Sequence, residues 1–405
     1  MLTYILIIIY LAFISLGLPD SLLGVTWPVM RLDLNASLAA AGIISMTISG
    51  GTIISSLLSG KVLRRFGTGK VTTVSVFMTA CALLGFSFAP SLFWLILLAI
   101  PLGLGAGSVD AGLNAYIATH YKSHHMSWLH CFWGIGAMTG PMIMSSFMKG
   151  ENTWRKGYLT VAIIQVILVI ILFLTLPLWK KVEKSVEVKV MDDKDSIGDK
   201  DTLEQNSRAN FIIDRHPYKI KGVKQVLLTF LLYCAIESTL GLWGSSFLVN
   251  VRGIDVSIAA KWVAMYYGGI TLGRFLSGFL TLKLSNKVLI RMGQLMLLAG
   301  ALLLVLPLPD LFSLFGLTLA GLGCAPIYPC MLHETPARFG KENSQNLMGI
   351  QMAIAYAGAT FLPPILGFVA GFTTMIIYPF VILVYVIIML ANTEKLNLLF
   401  HKSNG

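Results

Sequence analysis

The chain has 405 residues, of which 56% are hydrophobic and 12% charged, with a mean hydropathy of +0.78. Water-soluble domains carry about 25% charged residues, so that class is excluded. Disorder is excluded with it, because disorder needs low hydrophobicity and high charge. The 30 Lys and Arg outnumber the 19 Asp and Glu, but residues 181–221 hold nine of each sign and cancel. The surplus therefore lies in short clusters beside apolar runs, the pattern of cytoplasmic loops, and no nucleic-acid partner is expected.

A spanning helix takes about 20 residues. Long apolar runs broken by charged or Pro/Gly clusters predict twelve spans. The first six lie near 3–30, 38–60, 71–89, 92–119, 128–148 and 157–179. Six more follow near 223–250, 259–282, 287–306, 309–332, 345–370 and 374–391. The apolar stretch from Leu2 to Ile14 has no basic residues before it and continues through Met30, so a retained first span is expected rather than a signal peptide. With the N-terminus inside, 23 of the 30 basic residues fall on that face. This predicts a multi-pass protein of the plasma membrane with both termini cytoplasmic. All five cysteines lie in apolar stretches without a CxxC pair and read as small buried hydrophobes.

The charged segment 181–221 predicts a solvated cytoplasmic linker, with room for a short amphipathic helix, between a six-helix bundle over 1–180 and a second over 222–405. An internal repeat relates the two. Asp20-Ser21-Leu22-Leu23-Gly24 matches Glu237-Ser238-Thr239-Leu240-Gly241, Gly60 at the expected end of span 2 matches Gly278, and Gly103-Leu104-Gly105 matches Gly321-Leu322-Gly323. Nearly constant offsets of about 217–218 residues predict parallel six-helix repeats with a site between them near the bilayer midplane.

A charged side chain at the bilayer centre costs about 2.5–3.5 kcal/mol, so each one in a span requires a reason. Asp20, Asp110, Glu237 and Arg274 are such groups, with His130 near the start of span 5 a fifth. Helical spacing puts Asp20 with Gly24 and Trp27, Asp110 with Gly103, Gly107 and Asn114, and Glu237 with Tyr233, Gly241 and Gly244. Such stripes can line a wet cavity, or they can be close helix packing with the acids as hydrogen-bonding glue. A carboxyl in a poorly hydrated cavity can carry or release a proton, which is the physical basis of proton coupling. Aromatic faces such as Trp27, Trp133, Trp243, Tyr266 and Tyr267 could pack on a sugar ring or belong to the core. Arg274 fits a structural role slightly better than neutralising an acid in the cavity. The cluster His120-Tyr121-Lys122-Ser123-His124-His125 reads as a helix end rather than a metal box, because the remaining histidines are scattered. No phosphate loop or catalytic triad is present, and no enzyme activity is expected.

Gly60-Lys61-Val62-Leu63-Arg64-Arg65-Phe66-Gly67 resembles the loop 2–3 signature of the major facilitator superfamily, with Arg64 where an acid is usual. Tyr233 to Glu237, Gly273 to Gly278, Gly105 to Asp110, Phe132 to Ala137 and Ala325 to Pro329 are together similar to the fucose permease and glucose/mannose proton symporter branch. The resemblance implies an all-α membrane protein of the major facilitator fold, with twelve transmembrane helices in two pseudo-repeats. It further implies proton-coupled symport of a small polar solute, a monosaccharide, by alternating access. Asp20, Asp110 and Glu237 match the acids of that branch, the span 4 acid being usually Glu there. Asn114, Trp27, His130, Trp133, Tyr233, Trp243, Tyr267 and Gln351 are candidates to line the substrate site, and Arg274 and Arg65 are candidate structural or gating charges. No cofactor or metal is expected, the proton being the coupling ion with sodium as the alternative. The expected partners are a small-molecule solute and the lipid bilayer, with a functional monomer. An efflux antiporter, suggested by Gly136 and Gly140-Pro141, and a membrane sensor without transport are the alternative readings.

Overall fold

The computed structural model describes residues 2–121, 123–148, 153–196 and 220–401. Twelve spans follow in chain order. Span 1 is Leu2–Asp20 continued by Leu22–Asp33, span 2 Ala40–Phe66, span 3 Thr68–Phe88, span 4 Leu92–His120, span 5 Ser123–Phe147 and span 6 Thr153–Ser196. Span 7 is Val223–Asn250, span 8 Val256–Leu280, span 9 Asn286–Val305, span 10 Leu311–Phe339, span 11 Lys341–Phe372 and span 12 Ile377–His401. No strand occurs among the described residues. Ten of the twelve are long and apolar enough to cross a membrane. The other two, spans 5 and 8, have 25 residues each, or about 37 Å at 1.5 Å per residue, and carry the polar groups described below.

Some boundaries differ from the sequence pattern for local reasons. Span 2 runs through Gly60 to Phe66, because one glycine in a helix is tolerated and the helix ends only at Gly67, whose φ of 81° favours glycine. Gly340, at φ 83°, makes the same single-residue link between spans 10 and 11. Span 6 continues to Ser196, so the first part of the charged segment 181–221 is helical, and residues 197–219 lie outside the described residues.

Packing follows the repeat. Span 1 packs on span 5, span 2 on 4, span 3 on 4 and span 3 on 6. The corresponding pairs 7 on 11, 8 on 10, 9 on 10 and 9 on 12 recur in the second six. Between the two sets, span 1 meets span 7, span 2 meets span 11 and span 5 meets span 8. Adding six to each number turns the last two pairings into one another, which is the signature of a pseudo-two-fold relation.

The glycine stripes serve this packing more than they serve a cavity. A Cβ on Gly103 would strike the Ile48 carbonyl, one on Gly107 would lie 2.9 Å from Thr52 Cα, and one on Gly321 would strike the Tyr266 carbonyl. Spans 4 and 10 therefore approach spans 2 and 8 backbone to backbone. Of the two readings of that stripe, Gly103 and Gly107 follow the close-packing one, while Asp110 reaches the cavity.

The hydrogen bonds between the two sets cluster at one face, opposite the face on which Leu2 and His401 lie, while spans 5 and 8 stay in contact to mid-depth. Ser257 Oγ donates to the Ser145 carbonyl at 2.9 Å, Ser245 Oγ donates to the Val25 carbonyl at 3.2 Å, and a Cβ on Gly42 would lie 2.9 Å from Pro364 Cα. Among the described residues, every hydrogen bond joining the two sets belongs to this seal. A methyl at Gly24 would lie 2.8 Å from Leu242 Cα and overlap the Gly241 carbonyl. Gly24→Ala is therefore expected to disfavour the sealed arrangement. In a background without native cysteines, a Ser245→Cys probe should then label several-fold faster with a water-soluble thiol reagent. An unchanged rate would show that spans 1 and 7 need not separate there.

Candidate functional site

Pro19 builds the first wall of the site. It has no amide hydrogen to donate to the Ser15 carbonyl, so span 1 breaks at Ser21. The freed Ser15 carbonyl accepts from buried Gln165 Nε2 of span 6 at 2.7 Å, and Thr79 Oγ1 of span 3 donates to Gln165 Oε1 at 2.7 Å. This arrangement fixes the break, and with it Asp20.

Asp20, Asp110 and Glu237 line one cavity of about 430 Å³ between the two sets of spans. His130, Trp133, Tyr267 and Arg274 line it as well. Each acid has a different partner. Trp133 Nε1 donates to Asp20 Oδ2 at 2.7 Å. Asn114, one turn along span 4, donates to Asp110 Oδ1 at 2.8 Å and to its carbonyl at 2.9 Å. Arg274 Nη2 donates to Glu237 Oε1 at 3.3 Å, both side chains about one-fifth exposed. The Arg274 guanidinium also lies 5.1 Å from the centre of the Trp133 ring, a cation–π distance. Trp133 thus bridges Asp20 of the first set to the Glu237–Arg274 pair of the second. One face of its ring is occupied by that cation, while the residue itself lines the cavity.

The remaining expected residues divide. Asn114 acts on the cavity through Asp110, and His130 stands edge-on to Phe13 at 6.0 Å on the cavity wall. Trp27, Trp243, Tyr233 and Gln351 are buried in the packing and do not line the cavity. Trp27 Nε1 donates to the Leu38 carbonyl at 2.9 Å and Trp243 Nε1 to the Pro363 carbonyl at 2.8 Å, while Gln351 Oε1 accepts from Thr335 Oγ1 at 3.0 Å. These are helix-to-helix ties that satisfy buried polar atoms. Tyr266 is likewise internal, its hydroxyl donating to the Glu237 carbonyl at 3.0 Å. Arg65 is exposed at the end of span 2, with its guanidinium 5.5 Å from the Phe66 ring. In the histidine cluster, His120 Nδ1 sits 2.9 Å from the Tyr116 carbonyl and His125 Nδ1 is 2.8 Å from the Tyr10 hydroxyl.

The cavity also carries residues that no single-helix argument selected: Ser45, Ser49 and Thr52 on span 2, Ser238 on span 7, and Tyr356 and Thr360 on span 11. The signal was present in span 2, where hydroxyls recur at i, i+4 and i+7. The Glu237–Arg274 pair gives the first test of this geometry. Arg274→Met leaves a carboxylate at membrane depth without its cation and is expected to lower Tm by several degrees in detergent. Adding Glu237→Gln should restore most of that loss. Strict additivity of the two losses would show that the pair is not coupled.

The family model of the Major Facilitator Superfamily matches residues 9–332. The glucose/mannose transporter GlcP of Bacillus subtilis is 23% identical over 328 residues, covering 80% of this chain and 77% of that protein. Bypass of stop codon protein 6 of Saccharomyces cerevisiae is 24% identical over 282 residues, covering 66% of this chain, and the chain spans 55% of that protein's length. In structure, the chain is similar to a bacterial homologue of the human lysosomal transporter Spinster in an inward-facing, unoccupied conformation, with TM-score 0.76, 14% identity, and 99% and 98% of the two chains covered. It is also similar to a D-xylose–proton symporter, with TM-score 0.70, 15% identity, and 96% and 97% covered. The chain belongs to the Major Facilitator Superfamily and is a multi-pass membrane transporter, not an enzyme.

Proposed function

We propose that the chain carries a monosaccharide inward together with protons by alternating access, as a monomer in the plasma membrane with Leu2 and His401 on the cytoplasmic side. The observation that carries this reading is the convergence of Asp20, Asp110 and Glu237, from both sets of spans, on one cavity, with the hydrogen bonds between the sets at one face. With the seal outside, the arrangement is the inward-open state, and the pseudo-two-fold pairing supplies the rocking axis.

The chemistry supports a neutral polyol. The volume of about 430 Å³ lies within the range of about 300–1,000 Å³ usual for small-molecule sites. Apart from the phenols of Tyr267 and Tyr356, the ionisable lining groups are three carboxyls, one histidine and one guanidinium already paired with Glu237. An anionic solute would face an excess of like charge, whereas a sugar would meet hydrogen-bonding groups. The names of two similar proteins, a glucose/mannose transporter and a D-xylose–proton symporter, point the same way.

Asp110 and Asp20 are assigned to proton coupling. Neither is held by a cation, so each can pass between a neutral form that donates a hydrogen bond and a charged form that accepts one. Glu237, tied to Arg274, supplies the solute contact of the second half.

In liposomes, D-glucose or D-mannose should accumulate under an inward proton gradient, and a protonophore should abolish the accumulation. Asp110→Asn is expected to lose accumulation at least ten-fold while retaining solute-for-solute counterflow, because only the coupled step needs the titratable group. Accumulation that survives in Asp110→Asn overturns the coupling assignment. Accumulation driven by sodium alone replaces the proton, and drug extrusion without sugar uptake favours the antiporter.

A further inference from the structure

Span 2 crosses span 11 at the contact of Gly42 with Pro364. Within two turns of that contact, span 2 presents Ser45 and Ser49, and span 11 presents Tyr356 and Thr360, all on the cavity wall. Thr360 is 5% exposed, and its Oγ1 is buried without a hydrogen-bond partner. Thr72 and Thr239 are also buried without a partner, but of the three only Thr360 lines the cavity. A helical threonine can satisfy its hydroxyl by donating to the carbonyl four residues back. Thr47, Thr139, Thr229, Thr271, Thr318 and Thr373 all do so. Thr360 does not, and among the described residues no hydrogen bond occupies Ser45 Oγ or Ser49 Oγ either. Thr47, on the same helix as Ser45 and Ser49 but off the cavity wall, bonds back to the Ile43 carbonyl at 2.9 Å.

The backbone adds acceptors at the same place. Pro363 and Pro364 have no amide hydrogens to donate to the carbonyls of Ala359 and Thr360. Ala359 and Thr360 both line the cavity. The crossing therefore offers free hydroxyls and freed carbonyls with no charged side chain among them. An unpaired buried hydroxyl costs about 1–3 kcal/mol, so leaving Thr360 unsatisfied calls for a ligand that completes it.

We propose that Thr360, with Ser45 and Ser49, forms a neutral subsite that binds hydroxyl groups along one edge of the carried solute, apart from the carboxyl cluster. The inference deepens the monosaccharide reading and rests on it. Ser45 and Ser49 stand one turn apart, about 5–6 Å between Cβ atoms, a spacing suited to hydroxyls at separate positions of a six-membered ring. The subsite sorts neutral polyols by hydroxyl pattern, while the acids handle the proton.

The test uses the full chain in detergent with D-glucose and its series of monodeoxy derivatives as probes, read by binding affinity. Thr360→Val keeps the shape and removes the hydroxyl, and Ser45→Ala/Ser49→Ala does the same across the crossing. Each is expected to weaken D-glucose binding about five-fold. One deoxy derivative should bind wild type and Thr360→Val equally, because the group it lacks is the partner of Thr360. Thr360→Ser should recover most of the affinity. If both variants bind every derivative as wild type does, the subsite is overturned and the symporter reading stands. If wild type binds no hexose, the monosaccharide reading fails and the subsite falls with it.

Discussion

The constraint on which the rest depends is that a carboxyl placed at membrane depth has to be satisfied from within the bundle, since lipid offers neither water nor counterions. Each of the three acids meets it with a different group: an indole N–H for Asp20, a side-chain amide one turn away for Asp110, and a guanidinium for Glu237. None of these is a complete answer, because a carboxylate has about four lone-pair sites. The unused capacity faces the cavity. Partial satisfaction leaves each acid with unused acceptor capacity, which the proposed exchange of a proton or a solute hydroxyl would need.

The legible part of this design was the part set by hydrophobicity and by repetition. Twelve apolar runs, the 217–218 offset and the four ionisable groups at membrane depth could all be read from residue order. The acids then converged on one cavity because a charge at that depth has few permissible places to go. Aromatic and amide residues were harder to place. Trp27 and Trp243 share helices with the acids, yet each turns its indole to a carbonyl, Leu38 and Pro363, exposed at the end or the break of another helix. Helical spacing specifies the face of a residue but not which neighbour lies across from it. The same gap hid Thr360. Its importance comes from the crossing of span 2 and from Pro363 and Pro364 together, so it appears only when spans 2 and 11 are assembled.

Prolines act throughout as switches of local hydrogen bonding. In span 1, Pro19 frees the Ser15 carbonyl, which Gln165 takes up, and the break is rigid. In span 11, Pro363 frees the Ala359 carbonyl and Pro364 that of Thr360. The Pro363 carbonyl itself is held by Trp243. One break is satisfied by protein and locks an acid in position, while the other opens onto the cavity. The difference lies in what packs behind each helix, a buried glutamine in one case and the solute space in the other.

The two halves are alike in packing but not in charge, and on the proposed function that asymmetry selects the acids that would move protons. The repeat that pairs Asp20 with Glu237 sets Ser56 opposite Arg274 and Tyr328 opposite Asp110, at an offset of 218 in both cases. The second half therefore owns the cation, and its acid is held in an ion pair whose neutralisation would strand Arg274 at membrane depth. The first half owns two acids and no cation to hold them. Asp20 is linked to Arg274 through the face of Trp133, an attraction weaker than a salt bridge. A bundle of two identical halves would hold both acids or free both. On the proposed function, breaking the repeat at Arg274 and Asp110 would confine proton exchange to the first half and leave the second as a fixed counterpart against which it could rock.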